Sequence, residues 1–452
     1  MVKERESFRS RTGSVLALAG SAVGLGNIWR FPYMLSEYGG GAFLLVYILC
    51  IVLFSLPIMM SEFIVGRSSH VGAADAVGQL EPRGLWKHYG ILAVGIPFFT
   101  LCYYCVIGGW TLQYLVDSCL LSFHRAGTDE AVLSMFDDLV TSPVRPVVLD
   151  GVFLLVTALI IMNGVHKGIE KCSKVMMPVL FFVMIFIAVW VAIQPGAGQG
   201  MAYLFRPDFS KITPKVFLAA MGQSFYSLSI GMGILITYSS YLDRKIGLTQ
   251  TAVSTIIADF VFAIIAGCAI IPALFAYGMP TDQGTGLVFK TLPVVFSRMP
   301  AGGIVSVVFF FAVLLAALTS AMSLFEVPVS WLIDRYQMSR VGASVQVLVC
   351  AFAIGALCSL SFGVLSGFTV GGRVLFDLFD YTIGNYLMPL AGLVIVIFVG
   401  WKMSRNVILD EVVGYEYAQN EQYHRRWRKL LLFMIRWLAP AAVIAIFLSG
   451  IL

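Results

Sequence analysis

The feature that most constrains the fold of this chain is a series of long apolar stretches, each about as long as a lipid bilayer is thick. A bilayer's hydrocarbon core is about 30 Å across, so an α-helix needs about 20 apolar residues to cross it. Eleven such stretches, here called spans 1–11, are spread over the 452 residues. They cover residues 13–35, 41–65, 89–121, 147–163, 172–194, 215–240, 250–278, 303–331, 341–362, 374–401 and 429–451. The chain is therefore predicted to be an all-α membrane protein.

Composition supports this prediction and excludes other classes of protein. The chain is 59% hydrophobic and 12% charged, which is too little charge for a soluble protein of this length. Its net charge of +5 is small and dispersed, so nucleic-acid binding is not expected. The densest basic cluster, at 425–429, directly precedes span 11, as is typical of a cytoplasmic anchor. We expect the lipid bilayer and a small molecule as partners, and no protein partner is implied.

The distribution of Lys and Arg predicts the orientation of the chain. If the N-terminus is cytoplasmic, 20 of the 30 Lys and Arg residues fall in cytoplasmic segments and 8 fall outside. Arg30 and Arg436 fall within the membrane. Because cytoplasmic loops carry the excess of Lys and Arg, we expect the N-terminus in the cytoplasm. An odd number of spans then places the C-terminus on the extracytoplasmic side of the cell membrane.

Spans 1 and 6 are interrupted by glycines at corresponding positions. Span 1 contains SAVGLGN at 21–27, and span 6 contains SLSIGMG at 227–233. Each is the first span of a set of five, and because five is odd the second set would be inverted relative to the first. Close helix packing is an alternative explanation for the glycines, but their spacing of two places them on opposite helix faces. Paired interruptions indicate a midplane binding site built from freed backbone groups.

The chain is therefore expected to adopt an inverted-repeat (5+5) transporter fold with discontinuous helices 1 and 6 and one extra C-terminal helix. Irregular segments are expected at 122–146, 196–212 and 279–302, where Pro, Gly, Ser, Thr and Asp accumulate. The predicted parts are a cytoplasmic N-terminal gate segment at 1–12, a first repeat at 13–194, a second, inverted repeat at 213–402, a cytoplasmic loop at 403–428 and an eleventh transmembrane helix at 429–452.

One carboxylate lies deep within an apolar span. Asp259 sits in the sequence TAVSTIIADFVFAII of span 7. An ionisable residue at this depth is a functional-site candidate by default. It could instead be the structural partner of a Lys or Arg, but spans 6 and 7 offer no such partner at that depth. We therefore favour the interpretation of Asp259 as a cation ligand.

Several motifs resemble those of the neurotransmitter:sodium symporter family. They are GSAVGLGNIWRFP at 20–32, GGGAF at 39–43, the segment from Gly222–Gln223 to Gly233, AALTS at 316–320 and FDLFDY at 376–381. The resemblance covers nearly the whole chain. The number of spans, eleven, is similar to that of some members of the family's bacterial branch. It implies a secondary active transporter that couples inward Na+ movement to amino-acid uptake by alternating access.

The resemblance also implies two sodium sites. Sodium is a hard cation and prefers oxygen ligands. The first site would use the Ala22 carbonyl with the side chains of Asn27, Ser227 and Asp259, completed by the substrate carboxylate. The second would use the carbonyls of Gly20, Val23 and Ala316 and the hydroxyls of Thr319 and Ser320. Many relatives carry Asn at Asp259 and bind chloride, or place Glu one turn later, where this chain has Ala263. Although Tyr47, Gln223 and Ser227 could still donate to an anion, we expect Asp259 to make transport independent of chloride.

The substrate site is implied by the same motifs. Monoamine-transporting relatives carry Asp where this chain has Gly24, so a substrate with its own carboxylate is expected. The amides of Leu25 and Gly26 and the Tyr104 hydroxyl would bind that carboxylate, and the amine would meet the carbonyls of Ala22, Tyr226 and Ser227 and the Ser229 hydroxyl. The side-chain pocket would be lined by Thr100, Tyr104, Tyr226, Met232, Ser320 and Leu324. Because the Met232 side chain is flexible, the pocket could adapt to a bulky substrate, which favours a neutral, hydrophobic or aromatic amino acid. Alternatively, Met232 merely repacks the same small pocket.

Gates on both sides are implied as well. Arg30 and Asp380 would form the outer ion pair, with Tyr104 and Tyr226 as a lid over the substrate. On the inner side Arg5 and Asp334 would pair beside Tyr241, with Phe8 where relatives usually have Trp. In span 5, Gly168 and Pro178 have the spacing of a segment that can unwind in bacterial relatives, but an ordinary helix start with a tolerated kink is equally compatible.

Other functions are compatible with parts of the sequence. An enzyme is not expected, because no catalytic motif is in a usable context and the five histidines fall in or near predicted loops. A sodium-linked receptor or channel-like protein, including a non-transporting amino-acid sensor, would have a similar sequence. A symporter of another small zwitterion or carboxylate is a further alternative.

Overall fold

The structure, a computed structural model, describes residues 6–280, 286–413 and 421–451. Its regular elements within these ranges are helices, with two isolated β-bridges, Gly40–Pro207 and Val370–Arg373. Nine continuous helical stretches in this part of the chain are long and apolar enough to cross a membrane. They correspond to spans 2–5 and 7–11, and the broken helices of spans 1 and 6 complete the predicted eleven.

The helices follow one another in two halves. The first half contains α1 (Arg11–Ala22), α2 (Leu25–Ile28), α3 (Arg30–Glu37), α4 (Gly41–Cys50), α5 (Leu56–Ser69), α6 (Ala73–Leu80), α7 (Tyr89–Cys119), α8 (Ser122–Arg125), α9 (Asp129–Thr141), α10 (Arg145–Met162) and α11 (Lys171–Ala192). The second half and the C-terminal helices comprise α12 (Ala197–Phe205), α13 (Pro214–Ser227), α14 (Ile234–Ser239), α15 (Leu248–Ala276), α16 (Leu292–Arg298), α17 (Gly302–Tyr336), α18 (Arg340–Leu360), α19 (Leu375–Thr382), α20 (Met388–Ile397), α21 (Arg405–Val413), α22 (Glu421–Phe433) and α23 (Ala439–Ile451). Short 3-10 turns lie at Leu85–His88 and Phe209–Lys211, and π-helical turns lie at Ile51–Ser55, Val165–Glu170, Leu287–Thr291, Ile383–Leu387, Phe398–Lys402 and Met434–Leu438.

Span 1 breaks between α1 and α2, as its glycines predict. α1 ends at Ala22, and Gly24 is fully extended, with φ −136° and ψ −162°. The amide of Gly24 donates to the side-chain oxygen of Asn27 at 3.1 Å. In a continuous helix that amide would bond the carbonyl of Gly20. The break therefore frees backbone carbonyls at the end of α1 and backbone amides at the start of α2.

Span 6 breaks between α13 and α14 through three left-handed residues. Ser229 has φ 54°, Gly231 has φ 78° and Gly233 has φ 68°. A side chain at Gly231 would collide with the carbonyl oxygen of Met388, so only glycine fits there. The Gly231 amide donates instead to Oε1 of the buried Glu62 at 2.7 Å.

Near this break, α5 and α14 pack with their backbones in direct contact. A Cβ atom added to Gly66 of α5 would collide with the carbonyl oxygen of Ile236 in α14. Glycine therefore lets α5 and the second half of span 6 touch without intervening side chains. This packing fixes the position of α14 beside span 2.

The prediction that 122–146, 196–212 and 279–302 are irregular is wrong for much of their described length. α8, α9, α12 and α16 lie in these segments, the last of them preceded by the π-helical turn Leu287–Thr291. α9 begins with a capping bond from the Ala131 amide to the Thr128 hydroxyl at 3.3 Å. Ser, Thr and Asp therefore mark a helix start here as well as a loop. The segment at 403–428, predicted as a cytoplasmic loop between spans 10 and 11, contains α21 and the start of α22.

Candidate functional site

A small cavity of about 40 Å³ lies between the two helix breaks. All eleven residues predicted for the substrate site line it, namely Ala22, Leu25, Gly26, Thr100, Tyr104, Tyr226, Ser227, Ser229, Met232, Ser320 and Leu324. Gly24 and Asn27 line it as well. Sequence reasoning missed Ser21, Ile234 and Ser323. Ser21 and Ser323 could have been predicted from their positions in the sequence. Ser21 adjoins the predicted residue Ala22, and Ser323 lies one helical turn after the predicted residue Ser320.

Three of the residues predicted for the first sodium site are in direct contact. Nδ2 of Asn27 donates to Oδ1 of Asp259 at 2.8 Å and to Oγ of Ser227 at 3.0 Å. The Ser227 hydroxyl lies 2.8 Å from Oδ1 and 3.0 Å from Oδ2 of Asp259. All three side chains are buried. They bring α2, the end of α13 and the middle of α15 together around one carboxylate.

The other side of the cavity presents hydrogen-bond donors. Leu25 and Gly26 are the first residues of α2, so their amides have no helical acceptor. The Tyr104 hydroxyl is buried and has no hydrogen-bond partner within the described residues. A Cβ atom at Gly24 would lie 2.6 Å from the Ser320 hydroxyl and 3.6 Å from the Tyr104 hydroxyl. The arrangement can receive an anionic group and leaves no room for a side chain at position 24.

A chain of serine hydroxyls joins α1 to spans 6 and 8. The carbonyl of Ser21 accepts from the Ser229 hydroxyl at 3.0 Å and from the Ser320 hydroxyl at 3.5 Å. The Ser21 hydroxyl donates to that of Ser323 at 2.9 Å. These oxygens face the end of α1, where a substrate amine is expected.

Part of the predicted second sodium site lies where α1 packs on α17. A Cβ atom at Gly20 would lie 3.3 Å from Cβ of Thr319, so these two residues are in close contact. The Thr319 hydroxyl donates to its own helix, at 3.0 Å from the Ala316 carbonyl. The Val23 amide donates to the Ala19 carbonyl at 2.7 Å, as the final bond of α1. Gly20 and Thr319 are therefore the two predicted ligands that are in contact across the helices.

Comparison with known proteins agrees with this arrangement. A profile of the Sodium:neurotransmitter symporter family matches residues 5–127 and 129–452. The chain belongs to that family. This symporter is 36% identical to an uncharacterized sodium-dependent transporter of Bacillus subtilis over 443 residues, or 98% of this chain and 97% of that one. It is 27% identical to the human sodium- and chloride-dependent creatine transporter 1, over 84% of this chain and 67% of that one.

A solved structure shares its fold. The crystal structure of MhsT in complex with L-phenylalanine superimposes with a TM-score of 0.89 and 40% identity, covering 99% of this chain and all of that one. The fold predicted from the sequence, with two broken helices and paired five-helix repeats, is confirmed by this match. The protein is a sodium-coupled, multi-pass membrane transporter.

The residues predicted to form the outer gate make no ion pair with each other in this conformation. Arg30 and Asp380 do not approach within 4.0 Å among the described ion pairs. The Arg30 guanidinium instead lies over the ring of Tyr226, 5.0 Å from its centroid, and Asp380 is exposed. The cation–π contact holds Arg30 against Tyr226, the residue predicted to act as a lid. The predicted Arg30–Asp380 pair is therefore absent from this arrangement.

The predicted inner gate is packed around Phe8. Its ring makes edge contacts with Tyr238 and Tyr241 at 5.9 and 6.1 Å, and only 4% of Phe8 is exposed. Phenylalanine therefore fills the position despite being smaller than Trp. Asp334 accepts from the Gly72 amide at 2.9 Å. Arg5, its predicted partner, lies outside the described residues.

Two buried acids near the N-terminal segment and Tyr241 were missed from the sequence. Glu326 is fully buried, accepts from the Tyr241 hydroxyl at 2.7 Å and is held by the Arg340 guanidinium at 2.8 and 3.1 Å. Glu170, at the end of the π-helical turn in span 5, accepts from the Arg9 amide at 2.9 Å and the Ser10 hydroxyl at 2.8 Å. The position of Glu326 within the apolar span 8 was a signal for that residue. Glu170 lies between Lys167 and Lys171, just before span 5, and gave no such signal.

Span 5 is not unwound in this conformation. α11 is continuous from Lys171 to Ala192 with Pro178 inside it, and Gly168 lies in the preceding π-helical turn. His166, in that turn, contacts Glu170 at 2.9 Å. His166, predicted to fall in or near a loop, therefore lies in a helical turn and contacts a buried acid.

Proposed function

We propose that this symporter takes up a neutral, hydrophobic or aromatic L-amino acid together with Na+. The observation that carries the proposal is that the cavity is lined by both donors and acceptors. The free amides of α2 and the buried Tyr104 hydroxyl are donors, and the serine hydroxyls and carbonyls at the end of α1 supply accepting oxygens. A zwitterion matches both kinds of group, because its carboxylate accepts and its amine donates.

The side-chain pocket supports an apolar substrate. Thr100, Met232 and Leu324 are buried and line the cavity, and the Thr100 hydroxyl is already bonded to the Ile96 carbonyl at 2.7 Å. No ionic side chain lies among these three, so a charged substrate side chain would be desolvated without compensation. The solved relative with L-phenylalanine supports the same substrate class. Because the cavity is small, a bulky side chain would require Met232 or Tyr226 to turn.

Two sodium ions would be held beside the substrate. The first would be bound by Ala22, Asn27, Ser227 and Asp259 with the substrate carboxylate, and the second by Gly20, Val23, Ala316, Thr319 and Ser320. Because the substrate completes the first site, each ligand increases the affinity of the other. A monovalent ion entering the cell gains about 2.3 kcal/mol per 100 mV of membrane potential. The coupling would thus drive uphill uptake by alternating access, with the N-terminus cytoplasmic and the C-terminus outside.

Chloride would not take part. The Tyr47 hydroxyl and the Gln223 amide are buried and unpartnered within the described residues, so donors for an anion exist beside Ser227. Asp259 already supplies one negative charge to this region. A second buried anion would be repelled by it.

The test is a thermal-shift screen of the purified protein with the twenty amino acids, with and without sodium. We expect stabilisation by hydrophobic or aromatic L-amino acids that requires sodium. Counterflow of labelled substrate in vesicles then separates a transporter from a sensor, which would bind without exchange. N-acetylation of the substrate should abolish binding, because the amine loses its charge. Retained binding would instead favour a symporter of other carboxylates.

A further inference from the structure

We propose that a groove between the cytoplasmic ends of α7 and α17 binds an anionic phospholipid of the inner leaflet. The groove has a volume of about 980 Å³ and is lined by α6, the turn Leu85–His88, α7 and α17. It is separate from the transport cavity, and no residue lines both. The assignment rests on the orientation proposed above and not on the identity of the transported substrate.

One part of the groove is apolar and exposed. Ile91, Val94 and Gly95 line it from a single face of α7, since residues three and four apart lie on the same side of a helix. Ile91 is 73% exposed. A Cβ atom at Gly95 would meet nothing within 4 Å. The missing side chain leaves a channel along α7 that an acyl chain can occupy.

The other part of the groove carries cations. Lys87 and His88 lie in the turn before α7, are exposed, and form no ion pair within the described part of the chain. Arg335, near the end of α17, is 3.5 Å from Asp75 of α6, and its side chain is 64% exposed. The lining of the groove thus includes two permanent cations, Lys87 and Arg335, and one carboxylate, Asp75. A basic pocket between transmembrane helices on the cytoplasmic side is suited to an anionic headgroup.

Aromatic residues indicate the depth of the groove in the membrane. Trp331 and Tyr336 of α17 form an edge-to-face pair with centroids 5.7 Å apart, and both line the groove. Trp and Tyr concentrate at the headgroup level of a bilayer. The cations therefore lie at headgroup depth and the apolar channel below them, which is the arrangement of charge and chain in a phospholipid.

A bound headgroup would reinforce an existing contact. α6 is already joined to the end of α17 by the Asp75–Arg335 pair and by the Gly72 amide bond to Asp334. A phosphate between Lys87 and Arg335 would add a link from α7 to the same helix end. The lipid should therefore raise the thermal stability of the folded transporter.

The experiment measures the melting temperature of the full-length protein in an uncharged detergent. The probes are dioctanoyl phosphatidylglycerol, dioctanoyl phosphatidylcholine and glycerol 3-phosphate. We expect saturable stabilisation by phosphatidylglycerol only. Lys87→Gln and Arg335→Gln should each weaken its apparent affinity about fivefold, and Gly95→Leu should weaken it by filling the channel. Lys245→Gln, which removes an exposed cation elsewhere on the cytoplasmic side, should leave it unchanged.

Three results would overturn the proposal. Equal stabilisation by phosphatidylcholine would show that binding does not depend on the negative charge of the headgroup. Equal stabilisation by glycerol 3-phosphate would identify a site for free phosphate groups. Phosphatidylglycerol affinity unchanged in both Lys87→Gln and Gly95→Leu would place the lipid elsewhere. Each variant is first checked for sodium-dependent substrate stabilisation, so a folding defect is distinguished from lost lipid binding. Because the readout is lipid binding, its failure would leave the proposed transport function standing.

Discussion

Nδ2 of Asn27 lies 2.8 Å from Oδ1 of Asp259, although 232 residues separate the two in sequence. The bond connects the break in span 1 to the middle of α15, and the Ser227 hydroxyl bonds the same carboxylate oxygen from the break in span 6. Asn27 and Asp259 are fully buried. One carboxylate therefore links both broken helices, and the first predictions concern its charge.

Removing that charge should weaken sodium binding. Asp259→Ala should abolish sodium-dependent substrate binding, and Asp259→Asn, which keeps the shape, should lower sodium affinity at least tenfold, or about 1.4 kcal/mol. Sodium titration of the thermal stability measures both. Asp138→Asn, at an exposed site in α9, is the control. Unchanged sodium affinity in Asp259→Ala would refute its role as a ligand.

Chloride replacement tests the same carboxylate in another way. Uptake by the native protein should be unchanged when gluconate replaces chloride, because Asp259 supplies the negative charge and Ala263 adds none. In Asp259→Asn, chloride should partly restore uptake through the free donors of Tyr47 and Gln223. Uptake by the native protein that collapses in gluconate would contradict this prediction.

A single methyl group at Gly24 should block the substrate site. Gly24→Ala places a Cβ atom 2.6 Å from the Ser320 hydroxyl, so we expect at least a tenfold loss of substrate affinity with little loss of stability. Gly222→Ala is the matched control, since its Cβ would meet nothing within 4 Å. Isothermal titration with the best substrate compares the two. Equal affinity in both variants would argue against carboxylate binding beside Gly24.

Met232 decides between two interpretations of the pocket. If its flexibility accommodates bulk, Met232→Phe should weaken binding of Phe and Trp more than binding of Val and Leu. If Met232 merely repacks a small pocket, all four amino acids should be affected alike. Competition assays with these four ligands measure the difference. Met232→Leu, of similar volume, serves as the control.

Loss of Arg340 should destabilise the inner side of the protein. Arg340→Ala leaves the fully buried Glu326 carboxylate without its bidentate partner, which costs about 3–5 kcal/mol. The double variant Arg340→Ala/Glu326→Gln should recover part of this, because no buried charge remains. Thermal unfolding in detergent measures both. A single variant as stable as the native protein would show that the pair contributes little.

Local sequence chemistry accounts for what could be predicted. Gly24, Gly231 and Gly233 lie within apolar spans, and their positions predict where the two helices break. The family motifs around them contain many of the residues that line the cavity. Contacts that depend on the arrangement of distant helices could not be obtained in this way. The hydrogen bond from the Gly231 amide to Glu62 joins residues 169 positions apart. Nothing in the sequence around either residue predicts the other as its partner.

Conformation limits prediction in a different manner. Arg30 and Asp380 match the motif of an ion pair, yet Arg30 here stacks on Tyr226. A motif identifies the expected partners but not the conformation in which they would meet. The helices within 122–146 were missed for a simpler reason, because cap residues and loop residues have the same composition.

The contact between Gly66 and the carbonyl of Ile236 has a mechanical consequence. Because no side chain lies between the two backbones, any side chain larger than hydrogen at position 66 would force α5 and α14 apart. The spacing between span 2 and the second half of span 6 therefore depends on the absence of a side chain at one residue.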